Sequence, residues 1–452
     1  MSSQQVRSEP ARGRPATSRR NTELGLLVLA IVTTAGLYAL AGLGHNASLP
    51  ANLVPLLVFF CALLVTAHMA VRKLAPGADG VLLPIAGLLN GLGYVFIARV
   101  DEDLAGLQAT WTAVGIGAFV ATLVVVRRLR DLDRYRYTFA VVGVGLLLLP
   151  LLPGIGRNIN GARLWVSLGP INVQPGEAAK IALAIFFASY LVEKRDLLSI
   201  ATFRVGPLLL PDPKHLGPLL IAWGGSLVVM VAERDLGSSL LFFALFVVVL
   251  WVATQRAAYL GLGGAMFGAG ALIAWNAFDH VSARVRIWLD PWPEAQDAGF
   301  QVVQAAFAFG WGGLAGTGPG LGQPTIIPAA ETDFIFAVIG EELGLLGTTA
   351  VLAGFLLMVG TGLRIAMRAD GAFEKLVAVG LTTILAVQSF IIIGGVVRLV
   401  PLTGITLPFV SYGGSSLIAN YVLLALLLRI SDRTTSLSGG PPRPVAAGER
   451  AR

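Results

Sequence analysis

Residues 237–254 read GSSLLFFALFVVVLWVAT, eighteen consecutive positions without an ionisable side chain. A helix needs about 20 apolar residues to cross a hydrocarbon core of about 30 Å, whereas a buried strand of a soluble protein stops after about 4–8. Asp235 stands just before the run and Arg256 just after it, so charge bounds it at both ends. Outward from it, similar runs recur near 24–44, 52–71, 81–100, 109–126, 137–156, 173–192, 216–232, 258–278, 343–366, 376–397 and 408–428. With 237–254 these make twelve; several are short or glycine-rich, so ten to twelve spans are expected. No fixed-period internal repeat is visible. The fold class is all-α, a polytopic transmembrane helical bundle with one large extracytoplasmic loop at 279–342.

Composition agrees. The 452 residues are 55% hydrophobic and 13% charged, against about 25% charged for soluble domains, and the mean hydropathy is +0.76. Too few charges remain to coat water-facing domains. A lone cysteine, Cys61, excludes an intramolecular disulfide framework. His45, His68, His215 and His280 lack metal-ligand spacing, which argues against haem, zinc and iron–sulfur chemistry. The net charge of +7 does not point to nucleic acid, because it follows the membrane. With a cytoplasmic N-terminus, 25 of the 33 cations fall in the inner segments 1–22, 72–73, 127–136, 193–215, 256, 364–375 and 429 onward. That bias places both termini in the cytoplasm. The first run exceeds a signal-peptide core of about 7–15 residues and reads as an uncleaved anchor. The tails 1–22 and 433–452, rich in Ser, Pro, Gly and Arg, read as disordered. Between them lie a five-span region, 23–156, and a membrane core, 157–432.

The long outer segment does not read as a floppy connector. It carries Trp288, Trp292, Phe300, Phe307, Phe309 and Trp311, then glycines at 310, 312, 313, 316, 318, 320 and 322. Aromatics suit a membrane–water interface, and glycines permit tight backbone turns around something bound. Near its end Asp333 sits where loop gives way to apolar helix. It admits two compatible readings, a helix cap or a catalytic acid. Glu341 and Glu342 rank below it. Ionisable groups inside apolar runs are functional candidates: Glu177 and Lys180 stand at i, i+3 on one helix face, where they can pair. Glu233-Arg234-Asp235 is by default a polar turn. Arg163 and Arg398 are outer cations for a phosphate or for lipid headgroups. The small residues from Ser411 to Ser416 permit close helix packing.

Six motifs in order carry a resemblance: Gly161-Ala162-Arg163-Leu164-Trp165; Gln174-Pro175-Gly176-Glu177-Ala178-Ala179-Lys180; Asp235-Leu236-Gly237; Asp290-Pro291 with Gly299-Phe300-Gln301-Val302-Val303-Gln304; Thr332-Asp333-Phe334-Ile335-Phe336-Ala337 with Gly340-Glu341-Glu342-Leu343-Gly344; and Ser411-Tyr412-Gly413-Gly414-Ser415-Ser416. Over roughly 160–430 the chain resembles the SEDS family, the bacterial RodA and FtsW proteins of elongation and division. The resemblance implies a peptidoglycan glycosyltransferase of the cytoplasmic membrane, polymerising lipid II into nascent glycan on its outer side beside a class B penicillin-binding protein. It puts the essential acid on Asp333. It assigns substrate binding to Arg284, Lys180, Glu177, Arg163, Asp235, Gln304, Arg398, Ser411, Tyr412, Gly413, Gly414, Ser415 and Ser416. Glu331, Glu341 and Glu342 are auxiliary acids. Val397-Arg398-Leu399 before Pro401-Leu402-Thr403-Gly404 looks more like an actinobacterial RodA than a division FtsW.

The chain departs from the family pattern in places. Glu331 replaces a usual His, which would raise the pKa of Asp333 or help hold a divalent cation, Mg²⁺ or Mn²⁺, although no cofactor is firmly implied. Leu164 replaces a usual Arg, Glu233-Arg234 replaces Gln-Pro, and five spans precede Gly161 where many relatives have three. A lipid flippase and a non-catalytic scaffold are the competing readings. A flippase would show repeated halves with broken helices and charges at the midplane, whereas here the notable charges cluster toward the outer side.

Overall fold

The computed structural model describes residues 16–159, 162–169, 171–199, 203–205, 208–210, 217–233 and 235–438. Helices α1 (Ala16–Asn46), α2 (Leu53–Leu74), α3 (Leu82–Val100), α4 (Glu102–Val125), α5 (Arg130–Asp133) and α6 (Arg136–Leu148) come first. A small antiparallel sheet follows, β1 (Gly156–Ile159), β2 (Ala162–Leu168) and β3 (Ile171–Val173), with Arg157 opposite Trp165 and Ser167 opposite Asn172. Next are α7 (Pro175–Ser199), the short pair β4 (Phe203–Val205) and β5 (Leu208–Leu210), α8 (Gly217–Glu233), α9 (Leu236–Thr254) and α10 (Ala258–Ala277). The chain closes with α11 (Asp279–Leu289), α12 (Phe300–Gly312), α13 (Ile335–Arg368), α14 (Ala372–Val396) and α15 (Gly414–Ser438).

Among the described residues ten helices are long and apolar enough to cross a membrane, and Arg136–Leu151 and Trp223–Glu233 are shorter apolar helices. Together they fall on the twelve runs of the sequence. The run at 137–156 is cut short because a 3-10 turn at Leu149–Leu151, containing Pro150, ends it, and Gly154, at φ +82°, turns the chain into β1. That sheet is not anticipated by an all-α reading. At the N-terminus α1 starts inside the stretch expected to be disordered, and Arg20 is buried there against Glu23 and the Ala78 carbonyl. At the other end α15 runs past 432. The remaining tail residues 1–15 and 439–452, like Gly161 and Arg234, lie outside the described residues.

Caps start the helices where the sequence supplies them. Asp101 accepts from Asp103 N (2.8 Å) and Leu104 N (3.1 Å) to open α4, and Asp235 accepts from Ser238 N (3.0 Å) to open α9. Helices α14 and α15 form the centre: 78% of the most apolar stretch of each is buried, against 28% in α1 and α13. Outward-facing Val125, Val141, Ile221 and Met367 are largely exposed. An apolar surface this extensive belongs against lipid rather than water. The molecule is a multi-pass membrane protein.

One span is broken. Gly344 (φ 64°, ψ −163°) divides α13 into a half-helix, 335–343, and a longer segment after it. A break leaves carbonyls and amides without intrahelical partners, and the glycine loop after α12 supplies them. Thr317 N and Gly318 N donate to the carbonyls of Glu341 (2.9 Å) and Glu342 (3.1 Å), while Leu345 N and Leu346 N donate to Gly313 (3.0 Å) and Leu314 (3.2 Å). The approach is so close that a Cβ at Gly316 would stand 2.2 Å from the Glu342 carbonyl oxygen, so only glycine fits there.

Candidate active site

Asp333 lies in the turn that leads into α13. The turn is anchored by buried Ala330 and Phe334 and closed by bonds from Thr332 N (3.2 Å) and Phe334 N (3.3 Å) to the Ala329 carbonyl. Phe334, not Asp333, is the N-cap of α13, and no side chain caps that helix. The Asp333 carboxylate is therefore free of the capping role that the sequence leaves open.

It faces a cavity of about 230 Å³ whose polar lining is Arg284, Gln301, Arg398 and Asp333, with Trp288 and Leu402 among the apolar walls. Arg284 comes from α11 and donates to the Leu402 carbonyl (2.7 Å). Arg398, at φ 60°, donates to the carbonyls of Trp288 (3.0 Å) and Leu289 (3.1 Å), and the Trp288 indole returns a bond to the Arg398 carbonyl (3.0 Å). These bonds clamp α11 onto the segment after α14 and aim two guanidinium groups at one space. Gly404, at φ 80°, lies beside both charged groups: a Cβ there would lie 3.7 Å from Asp333 Oδ2 and 4.0 Å from Arg284 Nη1. Burial pushes the Asp333 carboxyl from 3.8 up to about 6; Arg284 opposes the rise, and Glu331 and Asp235 add to it.

Beside this cavity, and sharing Arg284, Val400 and Leu402 with it, is an apolar groove of about 520 Å³ walled by α8, α9, α10, α11 and α14. Phe267 and Phe390 line it and are partly exposed. A polar chamber thus opens onto an apolar one, the shape demanded by a ligand with a charged head and a long hydrocarbon tail.

The other residues singled out by the sequence divide by what they touch. Glu177 and Lys180 pair at 2.7 Å, both buried. Lys180 also donates to Gln388 Oε1 (2.8 Å), and Gln388 Nε2 to the Thr406 carbonyl (2.8 Å), so the pair tethers α7 through α14 to the 397–413 segment and does not line the cavity. The 411–416 run is likewise not in the lining. Ser411 Oγ donates to the Thr332 carbonyl (2.5 Å) and Tyr412 N to the Glu331 carbonyl (2.8 Å), which pins the turn beside Asp333. Ser415 Oγ accepts from Gln174 N (3.0 Å), Ser416 Oγ accepts from Thr406 Oγ1 (2.8 Å), Gly413 packs on Thr406, and Gly414 lies against the Trp111 ring. Burial raises the Tyr412 phenol.

Asp235 is the buried cap of α9, its carboxyl held above the usual range by burial and restrained by Ser238 and Arg284; its Oδ2 has no hydrogen-bond partner among the described residues. Arg163 is exposed on β2, and Gln304 is displaced from the cavity by Gln301, one helical turn earlier. Glu341 and Glu342 are not auxiliary acids of the cavity. Glu341 Oε1 accepts from Gln323 N (3.0 Å), and Glu342 pairs with Arg99 (3.2 Å) and accepts from Gly320 N (2.8 Å), because the break in α13 turns both toward the glycine loop. Sequence reasoning misses Gln301, Gln388 and Arg99. Among the described residues no three His, Cys, Asp or Glu side chains are grouped to hold a metal ion.

Fold and site define a class: a helical membrane protein with a desolvated carboxylate and two guanidinium groups gathered in a chamber that opens onto an apolar groove. A family model for the FtsW, RodA and SpoVE proteins, described as cell cycle proteins, matches residues 94–436, and the chain belongs to that family. It is 45% identical over 428 residues to the peptidoglycan glycosyltransferase RodA of Mycobacterium tuberculosis, covering 92% of this chain and 91% of that one. A probable peptidoglycan glycosyltransferase FtsW of Geobacter sulfurreducens is 35% identical over 377 residues, covering 80% and 96%. Among solved structures, a chain from work titled as the structural coordination of polymerization and crosslinking by a peptidoglycan synthase complex aligns with a TM-score of 0.64 at 27% identity, covering 79% of this chain and 98% of that one. The rod shape determining protein RodA of Thermus thermophilus aligns at 0.55 and 26%, covering 78% and 96%.

Proposed function

We propose that Asp333 is the general base of a peptidoglycan glycosyltransferase that polymerises lipid II on the outer side of the bacterial cytoplasmic membrane. The chain is an enzyme of that class, a glycosyltransferase of cell-wall synthesis. In the proposed reaction an acceptor sugar hydroxyl attacks the anomeric carbon of a polyprenyl-diphosphate-linked sugar. The new glycosidic bond forms as the bond to the diphosphate breaks, the hydroxyl proton passes to Asp333, and the diphosphate leaves with the bonding pair. A carboxyl near pH 6 is largely ionised at neutral pH yet basic enough to share that proton. Arg284 and Arg398 stabilise the charge that grows on the departing diphosphate, and the apolar groove keeps the tail among hydrocarbon. A single acid fits displacement with inversion, since retaining chemistry uses a close carboxylate pair.

The observation that carries this reading is Asp333 and Arg284 lining one chamber, both beside Gly404, next to the groove. Both termini are cytoplasmic in this reading, and the partner is a class B penicillin-binding protein. The test is polymerisation of lipid II by the purified chain, with and without that partner, for wild type and Asp333→Asn. Polymer from wild type and none from a folded Asn variant supports the assignment. Equal polymer from both removes Asp333 from the chemistry, and none from either with the partner present turns the reading toward a flippase.

A further inference from the structure

The half-helix 335–343 carries Asp333 two residues before its first turn, and it ends at the Gly344 break, where the backbone leaves helical φ/ψ. Its direction is set instead by the glycine loop hydrogen-bonded into the break. That loop is in turn held from α3. Arg99, whose side chain is 9% exposed, donates through Nε to Glu342 Oε1 (3.2 Å) and through Nη2 to the carbonyls of Gly320 (3.3 Å) and Gly322 (3.2 Å). Glu342, fully buried, closes the ring by accepting from Gly320 N (2.8 Å). One guanidinium thus ties the half-helix and both sides of the loop together, a task that requires its fork of fixed donors.

Helix α1 backs the same loop. A Cβ at Gly44 would stand 2.2 Å from the Pro319 carbonyl oxygen, and one at Gly320 would stand 2.1 Å from the Ala41 carbonyl oxygen. The family match begins at residue 94, so α1 precedes it.

We propose that Arg99, braced by the Ala41–Gly44 end of α1, is a positioning residue for Asp333, latching the half-helix at its break so that the carboxylate faces Arg284. The proposal rests on Asp333 being the base, and it gives the first helix a catalytic purpose beyond anchoring. Arg99 does not line the cavity, and its partners Glu342, Gly320 and Gly322 do not either, so its loss should act on the orientation of the acid and not on the binding of lipid II.

The experiment compares full-length Arg99→Met, Arg99→Lys and Gly44→Leu with wild type in steady-state lipid II polymerisation across pH 5 to 8. Expected for Arg99→Met is a kcat lower by about 100-fold, the scale of a misplaced catalytic group, with KM within about twofold. Its acid limb should shift below the wild-type midpoint, because a tilted half-helix exposes Asp333 to water. Arg99→Lys keeps the charge on Glu342 and should recover part of kcat. Gly44→Leu should repeat the Arg99→Met pattern without altering any charge, and it decides the matter if Arg99→Met does not fold. A raised KM at unchanged kcat, or a lower kcat with the acid limb unmoved, overturns the proposal. If Asp333→Asn polymerises normally the assignment of the base fails on its own; if that variant is inactive while Arg99→Met and Gly44→Leu behave as wild type, only the positioning role fails.

Discussion

Asp333→Asn should make the protein more stable while disabling it. The fold raises the Asp333 carboxyl from 3.8 to about 6. At 1.36 kcal/mol per pH unit the ionised form costs the folded state up to about 3 kcal/mol, less whatever water in the chamber recovers. The sign follows from the raised value: the stability that the neutral carboxyl contributes is fully present below pH 3.8 and is lost as pH rises through about 6. Asn is neutral at every pH and nearly isosteric. The variant should therefore match wild type near pH 4, gain on it between pH 4 and 6, and stay ahead at pH 7 by a few degrees in Tm. Polymerisation at pH 7 should fall by about 10²–10⁴-fold, the usual worth of a general base. Thermal unfolding in detergent at pH 4 and pH 7, with lipid II polymerisation on the same preparations, measures both. A variant less stable than wild type at pH 7, or a difference that does not vary with pH, refutes the claim that Asp333 is held desolvated and ionised.

Arg284→Met removes the cation that lowers the Asp333 value, so the acid limb of the pH–rate profile should move upward from about 6 and kcat should fall; an unmoved limb would uncouple the two residues. Gly404→Ala forces a side chain into the left-handed region, at about 1–2 kcal/mol, and places its methyl 3.7 Å from Asp333 Oδ2, so polymerisation should drop with little loss of Tm. Lys180→Met leaves Glu177 buried and unpaired, which should cost about 3–5 kcal/mol. The double variant Glu177→Met with Lys180→Met should recover most of that in thermal unfolding, which would mark the pair as a tether.

The spans are legible because a bilayer demands one pattern of every crossing helix, and Asp333 is legible because an acid at the mouth of an apolar helix is conspicuous. The company it keeps is not. Arg284 and Arg398 are more than a hundred residues apart and meet only because Trp288 and Arg398 exchange hydrogen bonds between α11 and the segment after α14. Glu341 and Glu342 look like neighbours of Asp333 in sequence, yet the half-helix turns them to the glycine loop. Gln388 escapes a search for ionisable groups because an amide carries no charge, although it joins Lys180 to the Thr406 carbonyl. Arg99 escapes because it falls at the end of a hydrophobic run, where a cation is ordinarily assigned to the interface.

The groove beside the cavity has a consequence for how such an enzyme counts its substrate. With partly exposed Phe267 and Phe390 along it, the proposed reaction has the tail enter sideways without leaving hydrocarbon. Encounter is then a search over a plane, and the quantity that governs saturation is the number of substrate molecules per lipid in the leaflet. Two vesicle suspensions with the same molar amount of lipid II per litre but a tenfold difference in carrier phospholipid present the enzyme with different worlds.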